Sequence, residues 1–103
     1  MQKVKLKMFN TEFNCMVHYD KYYNGGHRID LIDIADGTPV ATVTVNVENV
    51  ELKDNEIIVK DYSENEGIYD ALVDQNIINK TTKSVKLSQW VTAPIATLVK
   101  SPK

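Results

Sequence analysis

Two histidines and an aspartate form the most metal-like group of side chains in the sequence. His18 and Asp20 are two residues apart on a predicted strand, so they share one of its faces, and His27 lies on the following strand. Two imidazoles and a carboxylate could bind a divalent ion. Exposed polar residues near the end of a hairpin give the same pattern. A metal-dependent binder is therefore one hypothesis, and solvent-exposed side chains without a cofactor are the other.

Candidates for catalysis are few. Cys15 and His18 are three residues apart, which places them on opposite faces of a strand, and Cys15 shares its face with Val17. Cys15 is therefore predicted to be a core residue. Asp30 and Asp33 are also an odd number apart, so a regular strand would not pair them for acid–base work. The common phosphate-binding, hydrolase and zinc-protease motifs are absent, which predicts a non-enzymatic protein.

Aromatic residues surround a predicted turn at residues 24–26. Tyr19, Tyr22 and Tyr23 precede its two glycines. Tyrosine is enriched in protein interfaces, so the end of the hairpin is a candidate contact surface. The alternative is cross-strand aromatic pairing that stabilises the hairpin. The single tryptophan, Trp90, is predicted to pack partly into the core, with an exposed anchor as the alternative.

Alternation of apolar and polar residues predicts antiparallel strands through most of the chain. Turns at 24–26 and 36–37 predict hairpins, so that residues 13–47 form a three-stranded meander. The alternation breaks at Leu31 and Ile32, which indicates a bulge or burial on both faces. The strand-like runs are residues 4–8, 13–20, 27–35, 40–47, 57–59, 85–87 and 95–99.

One helix is predicted over residues 64–76. Ser63 and Glu66 have the spacing of a capping box, and Asn76 suits the left-handed conformation that ends many helices. Gly67 is unexpected in a first turn, and close packing against the sheet is one explanation. The predicted fold class is therefore α+β: an antiparallel meander sheet of about five or six strands with one helix packed on a face.

Composition places the chain among ordinary globular domains. Its 103 residues, 43% hydrophobic and 25% charged, predict a single domain over residues 1–100 with a frayed tail at 101–103. One cysteine excludes an internal disulfide. The sequence has neither a signal-like apolar run nor a membrane-spanning one, which predicts a cytoplasmic protein that does not contact membranes. The net charge of −2 argues against direct nucleic-acid binding.

Charge is distributed unevenly along the chain. Residues 30–78 contain twelve acids and two lysines, a net charge of −10. Residues 79–103 contain five lysines and no acid, and residues 1–29 have a net charge of +3. Basic terminal strands could neutralise the acidic centre across the sheet. Alternatively, the centre forms an acidic face that binds a basic partner.

Two stretches, residues 41–46 (ATVTVN) and residues 59–67 (VKDYSENEG), are the most distinctive. Together with the turn at 36–37 they resemble a family of small bacterial proteins of unknown function that are common on phages, plasmids and conjugative elements. The resemblance spans about residues 25–98. It implies a mobile-element context, in which small accessory proteins are often antagonists of host defence, including inhibitors of CRISPR effector nucleases.

These considerations predict a non-enzymatic protein that binds and inhibits a nucleic-acid-guided nuclease, with acidic side chains imitating phosphate charge in its basic channels. The alternative is a homodimeric structural or regulatory module assembled through an exposed sheet edge. The candidate interaction residues are Asn46, Lys60, Asp61, Tyr62, Glu64, Asn65, Glu66, Asp70 and Asp74.

Overall fold

The computed structural model describes residues 2–100, so the predicted frayed tail lies outside the described residues. The elements follow the chain in this order: β1 (Lys3–Met8), β2 (Thr11–Lys21), β3 (His27–Asp33), β4 (Pro39–Thr42), β5 (Glu56–Ile58), a 3-10 helix (Ser63–Asn65), α1 (Ile68–Asp74), β6 (Ser84–Lys86) and β7 (Thr92–Thr97). The α+β class is confirmed.

The strands form two antiparallel sheets, and the prediction of one meander sheet is wrong in this respect. The first has the order β1-β2-β3-β4 and the second the order β5-β7-β6. A bridge between Thr44 and Val59 joins them. The predicted strand 40–47 divides because Val43 faces the main core, whereas Val45 and Val47 pack on the far side of the second sheet.

The hairpin turns contain residues with positive φ, and two of these turns, at 24–26 and 36–37, were predicted. Phe9 and Asn10 have φ of 52° and 61°, as a two-residue type I′ turn requires. Gly25 and Gly37 also have positive φ at their turns. The pairing of β3 with β4 shifts register between Leu31 and Ile32, as the break in alternation predicted.

Two hydrophobic clusters lie on opposite faces of the second sheet. The main cluster fills the space between the first sheet, α1 and one face of β5 and β7, and it includes Cys15, which is fully buried as predicted. The second cluster lies on the opposite face, where residues 45–52 cover Ile58 and Ile95. Successive residues of β5 therefore serve different clusters, with Ile57 in the main cluster and Ile58 in the second.

The predicted helix 64–76 is wrong at its start. Gly67 has φ of 95° and separates the 3-10 helix from α1. Ser63 and Glu66 do not form a capping box, because Ser63 itself has φ of 59° and its side chain makes no cap bond. A Cβ on Gly67 would meet no atom within 4 Å, so backbone conformation, not close packing, accounts for this glycine.

The end of α1 agrees with the prediction. Asn76 has φ of 61°. The Ile77 amide donates to the Leu72 carbonyl at 2.9 Å, and the Asn76 amide donates to the Val73 carbonyl at 3.1 Å. These two bonds form a Schellman motif, which satisfies carbonyl groups at the end of the helix.

Candidate functional site

Four exposed carboxylates lie in the segment after β5, and we call them the acidic surface: Glu64, Glu66, Asp70 and Asp74. Asp70 and Asp74 are one helical turn apart on α1, so their side chains are neighbours on its exposed face. Ile68 and Leu72 on the opposite face anchor the helix in the main core. The amphipathic pattern of α1 thus holds negative charge towards solvent.

Lys60 is the basic residue that contacts this surface. Its ammonium group donates to a Glu64 carboxylate oxygen and lies 5.8 Å from the centre of the Tyr62 ring. The hydrogen bond raises the pKa of Lys60 and lowers the pKa of Glu64. Within residues 2–100, Glu64 is the one member of the acidic surface that forms an ion pair.

Asp61 and Asn65, both predicted interaction residues, have structural contacts. One oxygen of Asp61 accepts from the backbone amides of Gly67, at 2.9 Å, and Tyr69, at 3.0 Å. It thereby satisfies two donors at the start of α1. The Asn65 side chain is buried and donates to the Thr42 carbonyl at 2.7 Å. Sequence alone had indicated no structural role for either residue.

Asn46 lies apart from the acidic surface. Its Oδ1 accepts from Nδ2 of Asn24 at 3.2 Å, which links residues 45–52 to the hairpin of β2 and β3. The nine predicted interaction residues therefore do not form one surface. The structure places Lys60 and Tyr62 beside Glu64 of the acidic surface, and it places Asn46 beside the hairpin end.

The three hairpin tyrosines differ in their environments. The Tyr19 hydroxyl donates to the side chain of Gln2, and the Tyr22 hydroxyl donates to the Thr44 carbonyl at 3.2 Å. Both tyrosines are half-buried. Tyr23 is 84% exposed and contacts Glu48. Tyr19 and Tyr22 stabilise the fold, which leaves Tyr23 as the tyrosine exposed at the hairpin end.

The proposed metal group does not assemble. His18 and Asp20 lie on the outer face of β2, opposite Asp30 and Arg28 of β3. His27 is on the inward face of β3, the same face as Ile29 and Leu31, and its ring contacts the Asp54 carbonyl. Across residues 2–100, no three His, Cys, Asp or Glu side chains come together as metal ligands. Side chains alternate between the two faces along each strand. His18 pairs with Asp30 and His27 pairs with Lys21, so the two histidines lie on opposite faces of the sheet.

Cys15 lacks the setting of a nucleophile. Burial raises the pKa of its thiol, and the carboxylate of Asp33 raises it further. Both effects disfavour the thiolate, which is the reactive form.

A cleft of about 460 Å³ lies between the hairpin end, residues 21–27, and residues 45–56. We call it the hairpin cleft. Val47, Val50 and Leu52 are among the residues that line it, together with polar residues such as Asn24 and Asn46. Sequence analysis missed it, although the apolar residues between 45 and 52 were a signal that this segment packs against something.

The position of Trp90 contradicts the prediction that this residue packs partly into the core. The residue is 86% exposed and lies in the turn between β6 and β7. The residues on either side of the turn, Leu87 and Val91, are half-buried.

The basic C-terminal segment neutralises little of the acidic centre. Lys83 pairs with the buried carboxylate of Glu56. The other ion pairs of the described part of the chain join Arg28 to Asp30 and Lys60 to Glu64. Three of the four carboxylates of the acidic surface are left without an ionic partner in residues 2–100.

Comparisons with protein-family models, with curated proteins and with solved structures find no match. The family resemblance therefore stays a prediction. In residues 2–100, no helix has the length and apolar character needed to cross a membrane.

Proposed function

We propose that this protein is a non-enzymatic, cytoplasmic inhibitor from a mobile element that binds a host defence nuclease through its acidic surface. The observation that supports the proposal is the group of four exposed carboxylates on residues 64–74, of which Glu64 alone has a described ionic partner. Charge that the fold does not neutralise is available for a partner of opposite charge.

The chemistry of such a partner follows from the surface. A nuclease that holds a guide–target duplex does so in a positively charged channel, which recognises backbone charge and not base sequence. Repeated carboxylates on a fixed scaffold can occupy that channel in place of phosphates. Long-range attraction also accelerates association with a basic surface, and added salt weakens it.

The test is a cleavage assay with purified, guide-loaded CRISPR effector nucleases and a labelled DNA target. Wild-type protein should reduce cleavage by at least one effector. The double variant Asp70→Lys, Asp74→Lys should lose inhibition by on the order of tenfold or more, as charge reversal replaces attraction by repulsion.

A matched control reverses two exposed acids elsewhere, Glu12→Lys and Asp20→Lys on the outer face of β2. This variant has the same net charge as the test variant and should inhibit like wild type. Equal inhibition by the test variant would rule out the acidic surface. Equal loss in both variants would mean that net charge, not this surface, is responsible. Circular dichroism must show that both variants are folded.

The alternative prediction, a homodimer formed through an exposed sheet edge, receives little support from the first sheet. On each of its two edges, a side-chain amide already bonds the backbone of one residue. Gln75 bonds the backbone of Lys5 on β1, and Asn65 bonds the carbonyl of Thr42 on β4.

A further inference from the structure

The end of the β2–β3 hairpin contains the one asparagine of the sequence that glycine follows, Asn24 before Gly25. The turn itself explains both residues. Gly25 has φ of 88°, a conformation that glycine adopts without strain. Oδ1 of Asn24 accepts from the Gly26 amide at 3.2 Å, the local contact that favours asparagine in turns. The fold therefore keeps this pair of residues together at the end of the hairpin.

An asparagine that precedes glycine has a reaction available within its own backbone. The glycine nitrogen loses its proton to solvent and attacks the side-chain carbon Cγ of the asparagine. The bond from Cγ to Nδ2 breaks, ammonia leaves with a proton from solvent, and a five-membered succinimide ring remains. Water opens this ring at Cγ, which gives aspartate, or at the backbone carbonyl, which gives isoaspartate. Glycine permits the attack best, because it has no side chain to hinder the nitrogen.

Each group that takes part in this ring closure is held by a hydrogen bond in the folded protein. The Gly25 amide, which contains the attacking nitrogen, donates to the Tyr22 carbonyl at 2.9 Å. Oδ1 of Asn24 accepts from Gly26, and Nδ2, the leaving nitrogen, donates to Oδ1 of Asn46 at 3.2 Å. The first two bonds are local to the turn. The third comes from a residue 22 positions away, so Asn46 restrains the amide from outside the hairpin.

Solvent has access to the turn, since Asn24 and Gly25 are both exposed. A Cβ on Gly25 would meet no atom within 4 Å, so no distant part of the described chain packs over this side of the turn. The reaction needs only local opening of an exposed turn, which costs much less free energy than global unfolding. Release of the Asn24 side chain from Asn46 is part of that opening.

We propose that Asn24 is a site of spontaneous deamidation, with water as the co-reactant, and that its hydrogen bond to Asn46 slows the reaction. The conversion is also a one-way structural change. A carboxylate at position 24 has no N–H to donate to Asn46, and isoaspartate lengthens the backbone of the turn by one carbon. Either product removes this link between the hairpin end and residues 45–52. No residue of the acidic surface takes part, so the proposal is independent of nuclease binding.

The test is incubation of the folded protein in mildly alkaline buffer, followed by proteolysis and mass spectrometry of the peptides. The peptide with Asn24 should gain the mass difference between an amide and an acid before any other asparagine peptide does. Asn76 is the comparison within the chain, because it is also exposed but isoleucine follows it. Asn24→Gln, which would have to close a larger ring, should show no early gain at this position. Hydrogen exchange at the Tyr22 and Gly25 amides should accelerate as conversion proceeds.

Three further variants separate the contact with Asn46 from general stability. Asn46→Ala should accelerate the conversion by roughly fivefold, the factor that corresponds to one hydrogen bond of ordinary strength. Glu51→Gln, an exposed change on the same segment, should convert at the wild-type rate. Ile68→Val removes a buried methylene group from the main cluster, which destabilises the whole fold without altering the turn. It should also convert at nearly the wild-type rate.

Four outcomes would contradict the proposal. Conversion of Asn24 that is absent, or no faster than that of Asn76, overturns the site itself. Equal rates in Asn46→Ala and wild type overturn the protective role of Asn46. Equal acceleration in Ile68→Val and Asn46→Ala shows that the reaction follows global unfolding and not release of this contact. Exchange at the Tyr22 amide that stays constant during conversion contradicts the structural change.

Discussion

The carboxylate of Asp61 acts as the N-cap of α1, although Asp61 lies six residues before Gly67, the residue at the N-cap position. Gly67 is the residue before α1, and it has no side chain with which to accept a backbone amide. Asp61 accepts from Gly67 itself and from Tyr69. The distinctive stretch 59–67 is therefore explained in part by folding, since both its aspartate and its glycine serve the start of α1.

Replacing Asp61 by alanine should destabilise the protein by about 1 kcal/mol, the usual effect of losing a helix cap. Urea denaturation followed by circular dichroism measures the difference. Asp74→Ala is the control, because Asp74 is exposed at the other end of the same helix. If the two variants are equally stable, Asp61 is not an effective cap.

Glu56 should make stability depend on pH. Its carboxylate accepts from the Lys53 amide and pairs with Lys83, and these contacts lower its pKa below the ordinary value of 4.5. Because the folded pKa is the lower one, the stabilisation is present above pH 4.5 and is lost as the pH falls through the folded pKa.

Urea denaturation between pH 2.5 and 7 tests this dependence. Glu56→Gln should be less stable than wild type at neutral pH, and the difference should shrink in acid. Glu51→Gln, an exposed control, should follow the wild-type profile. A constant difference between Glu56→Gln and wild type at every pH would contradict the assignment.

A side-chain amide bonds the backbone of one residue on each edge of the first sheet. Oε1 of Gln75 accepts from the Lys5 amide at 2.7 Å, and Nε2 donates to the Lys5 carbonyl at 2.8 Å. One side chain on the turn after α1 thus gives β1 the pair of bonds that a neighbouring strand would give. Lys3, Lys5 and Lys7 add exposed charge along the same edge, which discourages pairing with another chain.

Gln75→Ala should lower stability by about 1 kcal/mol and make the protein more prone to associate through β1. Hydrogen exchange at the Lys5 amide should accelerate, and light scattering on prolonged incubation should increase. Asn76→Gly is the control, because it changes the adjacent residue but keeps the left-handed backbone. Unchanged exchange at Lys5 would show that the amide contact does not persist in solution.

At the scale of helices, strands and turns, the sequence predicted those features that depend only on residues close together in the chain. The hairpin turns and the end of the helix at Asn76 were predictable because their signals are local. The start of α1 was not, because its cap is a residue outside the helix. Alternation at 40–47 predicted one strand, yet Thr44 is buried and accepts from the Ile29 amide. An alternating pattern predicts that apolar side chains are buried, but it does not predict which of the two hydrophobic clusters each of them joins.

At the scale of the molecule, the two hydrophobic clusters found within residues 2–100 share one sheet. Ile57 and Ile58 are adjacent in β5 but face different clusters, so neither cluster can lose its packing without disturbing the strand that supports the other. The acidic surface and the Trp90 turn were not predictable as surfaces for a related reason. Exposure is a property of the assembled fold, and an isolated tryptophan in a polar stretch suits either environment.

Unfolding should therefore be a single cooperative transition. Leu72→Ala in the main cluster should cost about 2–5 kcal/mol. Leu52→Ala in the second cluster should cost less, because Leu52 is only partly buried. Both variants should shift the whole transition, with circular dichroism and methyl NMR signals from the two clusters giving the same midpoint. Separate midpoints would show that residues 45–52 unfold independently.

The contact between Lys5 and Gln75 joins residues 70 positions apart in the chain. A ribosome adds about 5–20 residues per second, so β1 leaves it several seconds before the residue that completes its edge. During that interval the edge strand depends on its lysines alone. These lysines are ordinary surface residues in the folded protein, but they protect the edge of β1 while the chain is being synthesised. Replacing them should reduce the yield of synthesis more than it reduces the stability of the folded protein.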